Sequence, residues 1–224
     1  MEFSLQNRKL ISNKPLDLDH VFCFVDTDFR SRPEHHRSGF NWVYKEHKGQ
    51  GTSNACALLG NKYLELIWAN DLELANTNIL RLGDRHNWRD TDYSPLGLAL
   101  KGDESYLYNS DFEVYPTPYG MKIPVLKTCL ADPTIPLIFI IIESEIQEKI
   151  KRKYPLKAYS HKNSAFEIRS IELVSPTQNE SLPLPDGIDL IPGKSHGMRI
   201  YITGKNRKTF SMGPVDIEIS REAS

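Results

Sequence analysis

Residues 47 to 68 read His-Lys-Gly-Gln-Gly-Thr-Ser-Asn-Ala-Cys-Ala-Leu-Leu-Gly-Asn-Lys-Tyr-Leu-Glu-Leu-Ile-Trp. The run begins with a turn punctuated by Gly49 and Gly51 and continues into a strand at 52–59. The Gly60-Asn61 pair is typical of a two-residue hairpin loop, and a second, apolar strand follows at 62–68. These residues therefore predict a β-hairpin that belongs to a buried sheet.

Glu65 interrupts the second strand of this hairpin. Burying an unpaired carboxylate costs several kcal/mol, which is comparable to the net stability of a whole domain. The strand around Glu65 is otherwise apolar, so we expect its carboxylate to be paired or to take part in chemistry. A functional site should be sought at this position.

The composition is that of a globular protein, with 39% hydrophobic and 25% charged residues in 224. The formal net charge is −1, so the chain lacks the overall positive field that gathers nucleic acid or anionic membranes. Cys23, Cys56 and Cys129 stand singly in apolar runs, which is typical of reduced core residues in a cytosolic protein. No signal-peptide pattern opens the chain, and Ile135–Ile142 is too short to span a bilayer. We therefore expect a cytoplasmic protein that binds neither nucleic acid nor membrane.

Two units with the same order of elements follow one another along the chain. In the first unit, strands are predicted at 16–25, 40–47, 52–59 and 62–68, with a short helix at 34–37 after the first. A helix predicted at 71–82 then leads to a second unit with strands at 96–101, 112–115, 121–130 and 135–142. The pattern predicts an α+β fold made of two tandem modules, each with one strand, a connection and three further strands.

The remaining chain is predicted to be one surface helix and a β-rich tail. Glu143–Tyr154 has apolar residues four apart and ends before Pro155, so it reads as an amphipathic helix. Strands are expected at 166–174, 198–202 and 215–219. We assign residues 17–154 to one domain, with module one at 17–70 and module two at 94–143. Residues 155–224 then form a C-terminal β-rich extension packing on the same core.

With this organisation, the chain resembles the glyoxalase-like branch of the vicinal oxygen chelate superfamily. The resemblance rests on short motifs, which are Leu18-Asp-His-Val21, His47-Lys-Gly-Gln-Gly-Thr52 with Asn54, Gly60 with Tyr63-Leu-Glu-Leu-Ile67, Pro136–Ile141 and His161-Lys-Asn163. It implies two βαβββ modules that form a curled, open mixed sheet. It also implies a small-molecule ligand on the concave face of that sheet and allows for a homodimer.

The resemblance further implies a divalent metal ion such as Zn, Mn, Fe or Ni. In the metal enzymes of the superfamily, each module supplies a His from its first strand and a Glu from its fourth. His20 and Glu65 stand at these positions in module one. The matching strands of module two, 96–100 and 137–142, offer no ligand. A metal would need a third donor, such as His47, Glu113, His161 or a residue of a partner subunit.

His20 and Glu65 also allow readings without a metal. They can form a buried ion pair in which Glu65 orients the imidazole, or Glu65 can be a catalytic base with its pKa raised by burial. They can also be hydrogen-bonded core groups without a function.

Two further groups of residues are candidates for substrate binding. Thr52 and Asn54, with His47, lie where the glycine-rich turn enters its strand, although the glycines are also what the turn itself requires. Trp88 and Arg89 lie in a polar and aromatic loop that either clamps a substrate or merely connects the modules.

The sequence thus predicts a glyoxalase-like protein that binds or transforms a small oxygenated metabolite by lyase, isomerase or oxygenase chemistry. A non-catalytic protein that sequesters a small ligand on the same scaffold is the alternative, and a third reading is a structural or interaction module with a sealed concave face and no pocket.

Overall fold

The computed structural model describes residues 15–143 and 154–221, and most of them belong to two β-sheets. An eight-stranded sheet contains both predicted modules. Its strands are β1 Asp17–Phe24, β2 Val43–His47, β3 Thr52–Leu59, β4 Lys62–Ala69, β5 Leu96–Gly102, β6 Phe112–Pro116, β7 Lys122–Leu126 and β8 Leu137–Ile142.

The order of strands in this sheet is β2-β3-β4-β1-β5-β8-β7-β6. The central strands β1 and β5 run antiparallel to each other, and each pairs in parallel with the fourth strand of its own module. This arrangement confirms the predicted α+β fold with tandem modules. It brings the first strands of both modules to the middle of the sheet.

The sheet curls until its two edges meet at one end. Gln50, in the turn between β2 and β3, lies with its amide nitrogen 3.4 Å from the hydroxyl of Tyr115 on β6. A Cβ added at Gly49 would stand 2.8 Å from Pro118 in the β6–β7 turn. Because β2 and β6 are opposite edges, these contacts close one end of the concave face.

The C-terminal residues form a separate five-stranded sheet, in the order β10-β9-β11-β13-β12. Its strands are β9 Ala165–Ser175, β10 Ile188–Pro192, β11 Gly197–Gly204, β12 Lys208–Met212 and β13 Val215–Ser220. The sequence predicted β9, β11 and β13 but missed the two edge strands. Edge strands commonly carry charge or proline, and β10 ends at Pro192 while β12 begins at Lys208.

The helices are short. α1 Pro33–Arg37 begins with proline as predicted, and it is followed by α2 Leu72–Ala75, α3 Leu82–His86 and α4 Lys127–Ala131. Within the described residues, short 3₁₀ helices occupy Phe29–Ser31, Glu104–Tyr108 and Leu156–Tyr159. No helix in the described part of the chain is long and apolar enough to cross a membrane.

The single helix expected over 71–82 is wrong, since α2 and α3 replace it. Thr77 donates its hydroxyl to the carbonyl of Leu74, and Asn78 accepts from the amide of Leu80. Such side-chain bonds compete with helical ones. Arg81 then takes a left-handed φ of 50°. Ile79, expected on the buried face, is therefore exposed.

The long strand expected over 121–130 is also wrong at its C-terminal end. It stops at Leu126, where the amide of Lys127 bonds to the carbonyl of Asp111 and α4 begins. The predicted helix at Glu143–Tyr154 falls on residues that lie almost wholly outside the described ranges.

One hydrophobic cluster contains buried side chains of both sheets. The face of the eight-stranded sheet opposite His20 contributes fully buried residues such as Val21, Cys23, Leu64 and Leu98. All three cysteines are buried and free, as the sequence predicted. The other, concave face of the large sheet carries His20, Asn54 and Glu65.

Candidate functional site

Strand register places His20 and Glu65 on the same face of neighbouring strands. In the parallel pairing of β1 with β4, His20 is opposite Tyr63 and Phe22 is opposite Glu65. Side chains two residues apart on a strand share a face. The predicted pairing of His20 with Glu65 therefore follows from the sheet itself.

His20 lies between two carboxylates. Its Nε2 is 3.1 Å from Oε2 of Glu65, and its Nδ1 is 2.7 Å from Oδ1 of Asp19. The ring of Tyr63 stacks on the imidazole, with centroids 4.2 Å apart and planes 17° from parallel. Both ring nitrogens thus face acceptors, which suits a protonated imidazole.

The pKa values follow from these contacts. Burial alone would lower the pKa of His20, but its hydrogen bonds to Asp19 and Glu65 raise it to about 9. Burial alone would raise the pKa of Glu65, but the hydrogen bond from His20 and the neighbouring imidazole of His47 hold it well below its usual range. The reading of Glu65 as a base with a raised pKa is therefore wrong, because its cationic and donor neighbours outweigh desolvation. Glu65 is ionised at neutral pH and His20 is an imidazolium.

The second oxygen of Glu65 faces residues from β2 and β3. Asn54 donates its amide to Oε1, and Nε2 of His47 lies 3.3 Å from the same oxygen. His47 is also 3.0 Å from the Asn54 amide nitrogen and 2.9 Å, through Nδ1, from the Thr52 hydroxyl. The structure thus brings together five of the predicted site residues, namely His20, His47, Thr52, Asn54 and Glu65.

The members of this network differ in their access to solvent. The side chains of His20 and Glu65 are 5% and 7% exposed, whereas that of His47 is 22% exposed. Tyr119, in the β6–β7 turn, approaches from the other edge of the sheet. Burial and the charge of Glu65 raise the pKa of its phenol to about 12. The site therefore opens to solvent beside His47 and Tyr119.

Asn54 carries an unused acceptor in this network. The residue is 4% exposed, and its Oδ1 finds no hydrogen-bond partner in the described part of the chain. Buried polar atoms are nearly always hydrogen-bonded, so each exception calls for an explanation. A bound molecule with a donor group would satisfy this oxygen.

These residues do not fit a divalent metal ion with three protein ligands. Among residues 15–143 and 154–221, no group of three or more His, Cys, Asp or Glu side chains is arranged to hold one. Both oxygens of Glu65 already accept hydrogen bonds from protein groups. A catalytic zinc ion normally has three protein ligands and one open position.

Module two contributes aromatic packing where its metal ligands are missing. Gly97 on β5 is opposite Phe22 on β1, and Ala99 is opposite Phe139 on β8. The rings of Phe22 and Phe139 lie with centroids 5.5 Å apart, and Phe139 is 6.0 Å from the ring of His20. An apolar wall therefore stands beside the charged network.

The other proposed donors lie in different surroundings. Glu113 is exposed on β6. His161 is structural, since its Nδ1 accepts from the amide of Asn41 and its Nε2 is 2.7 Å from the carbonyl of Leu58. These two hydrogen bonds anchor the segment that begins at residue 154. Within that segment, Ala158 packs on Cys56 and Leu58 of the concave face.

Trp88 and Arg89 are not part of the Glu65 network in the described structure. The guanidinium of Arg89 pairs with Asp26 and lies 4.5 Å above the ring of Trp88. Asp26 follows β1, so this pair sits past the C-terminal end of that strand rather than over Glu65. In the same loop, Arg85 is buried and bonds to backbone carbonyls of module two. The loop therefore holds the modules together.

Sequence reasoning missed four residues of the site. Asp19 could have been found as a carboxylate beside His20, and Tyr63 as its partner in the β1–β4 register. Gln50 lies in the glycine-rich turn that the sequence already marks, whereas Tyr119 approaches only because the sheet curls, and no local signal in the sequence marks it.

A curled sheet of two such modules, with its polar site on the concave face, is the arrangement that the resemblance to the glyoxalase-like branch of the vicinal oxygen chelate superfamily implied. Residues 18–102 match the family model of the glyoxalase-like domain. That range covers module one and the first strand of module two, and the match confirms the resemblance found in the sequence.

Solved structures with the same fold include a hypothetical protein from Staphylococcus aureus. It is 15% identical, with a TM-score of 0.59, and the alignment covers 93% of this chain and all of that one. Methylmalonyl-CoA epimerase from Mycobacterium tuberculosis aligns at 14% identity and a TM-score of 0.37, over 56% of this chain and 86% of that one. No curated protein matches the chain significantly.

Proposed function

We propose that the concave face of the eight-stranded sheet binds a small oxygenated metabolite at Glu65 and Asn54. The observation that carries this proposal is that the buried, ionised Glu65 carboxylate accepts from the amide of Asn54, whose own oxygen has no hydrogen-bond partner among the described residues. Both are buried acceptors of one network, which opens to solvent beside His47. A ligand with donor groups would complete the hydrogen bonding there.

Each site residue has a role in this proposal. Glu65 is the acceptor at the centre, and His20 with Asp19 keeps it ionised. Thr52 orients the imidazole of His47, and His47 flanks the opening of the site. Trp88 and Arg89 stay predictions as substrate-binding residues, since their contacts lie elsewhere.

A screen of small hydroxy- and keto-metabolites by thermal shift, followed by calorimetric titration of the hits, tests the proposal. Ligand binding should raise the melting temperature of the wild type. Glu65→Gln should weaken binding of any hit by about tenfold or more, since it removes a charged acceptor. Glu46→Gln, at an exposed position on β2, is the matched control and should keep the affinity. If Glu65→Gln binds the hits unchanged, Glu65 is not the ligand's partner.

Catalysis by proton transfer is the second candidate, and the contact of His47 with Glu65 favours it. At 3.3 Å this contact is the longest in the network, and His47 is the most exposed member. An imidazole that moves from Glu65 to a bound ligand could exchange a proton with it. Incubating a hit with the protein in D₂O tests this, because proton abstraction incorporates deuterium at the attacked carbon. Binding without incorporation or turnover identifies a sequestering protein instead.

The division of the chain is also a proposal. Residues 17–154 would form the glyoxalase-like domain, and 155–224 would form an extension that shares its core, as the hydrophobic cluster with buried side chains of both sheets supports. Limited proteolysis of the intact chain with mass spectrometry tests this division. Cleavage near 154 that leaves two associated fragments is the expected result.

A further inference from the structure

We propose that the ligand of the Glu65 site carries a protonated primary amine, which donates to Oδ1 of Asn54 beside the Glu65 carboxylate. This inference rests on the proposed small-molecule function and names the chemical class of the ligand. Three independent features of the site support it.

The first feature is the direction of hydrogen bonding. The amide nitrogen of Asn54 is used by Glu65 and His47, which leaves only its oxygen for a ligand. Glu65 is an acceptor as well. A ligand therefore has to bring donors, and an ammonium group brings three without any acceptor.

The second feature is charge. Asp19 and Glu65 are two carboxylates around the single imidazolium of His20, which leaves one negative charge. Among the described residues, the ammonium of Lys45 lies 4.8 Å above the Tyr154 ring and that of Lys101 lies 3.8 Å from a carboxylate oxygen of Asp17. In a buried environment this balance favours a cation and disfavours an anion.

The third feature is the aromatic wall. Phe22, Tyr63 and Phe139 have their ring centroids within 6.1 Å of the His20 ring, and Tyr119 approaches from the opposite edge. The faces of aromatic rings attract cations, most strongly where water is excluded.

A comparison of four small probes tests the proposal on the full-length protein. 2-Aminoethanol, ethylene glycol, glycolate and choline are each titrated at constant pH and ionic strength while the histidine side-chain signals are followed by NMR. 2-Aminoethanol should shift the signals of His20 and His47 and bind about tenfold or more tightly than neutral ethylene glycol. Glycolate should be the weakest probe. Choline keeps the charge but has no N–H donor, so it should lose most of the affinity that 2-aminoethanol gains over ethylene glycol.

Asn54→Leu should abolish the preference for 2-aminoethanol over ethylene glycol. Asn70→Leu is the control, because Asn70 is exposed and bonds to Ser53 outside the site. The comparison of choline with 2-aminoethanol on the wild type tests the donor requirement even if Asn54→Leu fails to fold.

The outcomes separate this inference from the proposed function. If the histidine signals show that glycolate or ethylene glycol binds as tightly as 2-aminoethanol, the amine is not the recognised group and the small-molecule function stands. If neither these probes nor any metabolite of the screen perturbs those signals, both proposals fail. If choline binds as tightly as 2-aminoethanol, charge alone selects the ligand and Asn54 is not its acceptor.

Discussion

The ring of Phe22 lies directly against the backbone of Gly97. A Cβ added at residue 97 would stand 2.0 Å from Cζ of Phe22 and 2.6 Å from the carbonyl oxygen of Leu137. Phe22 thus occupies the space in which a side chain from the first strand of module two would lie. The lack of a metal-ligating side chain on that strand and the large ring on β1 therefore belong together, because the ring of Phe22 fills the space beside Gly97.

Gly97→Ala should lower the free energy of unfolding by about 2 kcal/mol, because overpacking of a close contact forces side chains and backbone to shift. Phe22→Leu in the same chain should recover part of the loss, since it removes the ring. Chemical denaturation of the two single variants and the double variant measures the coupling. Gly197→Ala is the control, as its nearest neighbour would be at an ordinary 3.5 Å. Equal losses at both glycines would contradict the close packing of Phe22 on Gly97.

The centre of the site could be predicted from the sequence because strand geometry fixes it. The two-residue turn at Gly60 and Asn61 sets the register of β3 against β4, and that register places Asn54 and Glu65 on one face. The period of two places His20 on the same face of its strand. These positions follow from turn length and strand alternation, which are local features that can be read directly from the sequence.

The rest of the site depends on geometry that no local pattern encodes. Alternation would place Asp19 on the opposite face from His20, but the pairing of β1 with β5 shifts register between Leu18 and His20. Tyr119 reaches the site through the curl of the whole sheet. The prediction that burial raises the pKa of Glu65 was wrong, because the hydrogen bonds of its carboxylate outweigh desolvation.

The stability of the protein should fall as the pH rises from about 6.5 to 9. The folded-state pKa of His20 is raised from 6.5 to about 9, so its contribution is complete below 6.5 and is lost as the pH passes through 9. The loss is on the order of 3 kcal/mol. Urea denaturation across this range measures it.

The change should depend on His20 and its two carboxylate partners, Asp19 and Glu65. His20→Gln should flatten the profile between pH 6.5 and 9. His36→Gln, at an exposed position on α1, should leave the profile unchanged. A profile that keeps its slope in His20→Gln would show that another group causes the loss.

Divalent metal ions should give no specific stabilisation of the wild type. His20 and Glu65 alone are too few ligands for tight binding, and Glu65 is already held by Asn54 and His20. Elemental analysis and thermal shift with Zn, Mn, Fe and Ni measure this, with chelator-treated protein as the reference. Stoichiometric metal that survives gel filtration, with a stabilisation that His20→Gln removes, would contradict this expectation and restore the metal pair.

Arg85→Lys should lower the free energy of unfolding by about 3 kcal/mol or more. The Arg85 guanidinium is 1% exposed and donates to the carbonyls of Ser94 and Cys129 at 2.9 and 3.2 Å, with those of Pro133 and Ile135 at 3.5 Å. Burial lowers its pKa to about 10, so it stays charged at neutral pH. A lysine ammonium is a single point donor that cannot span these carbonyls, and each buried group left unpaired costs about 1–3 kcal/mol.

Arg81→Lys on the exposed side of the same loop is the control, because its pair with Asp84 is half in solvent and such pairs contribute little. Calorimetric unfolding of both variants compares them, and a loss of the same size in Arg81→Lys would show that Arg85 does not clamp the two modules together.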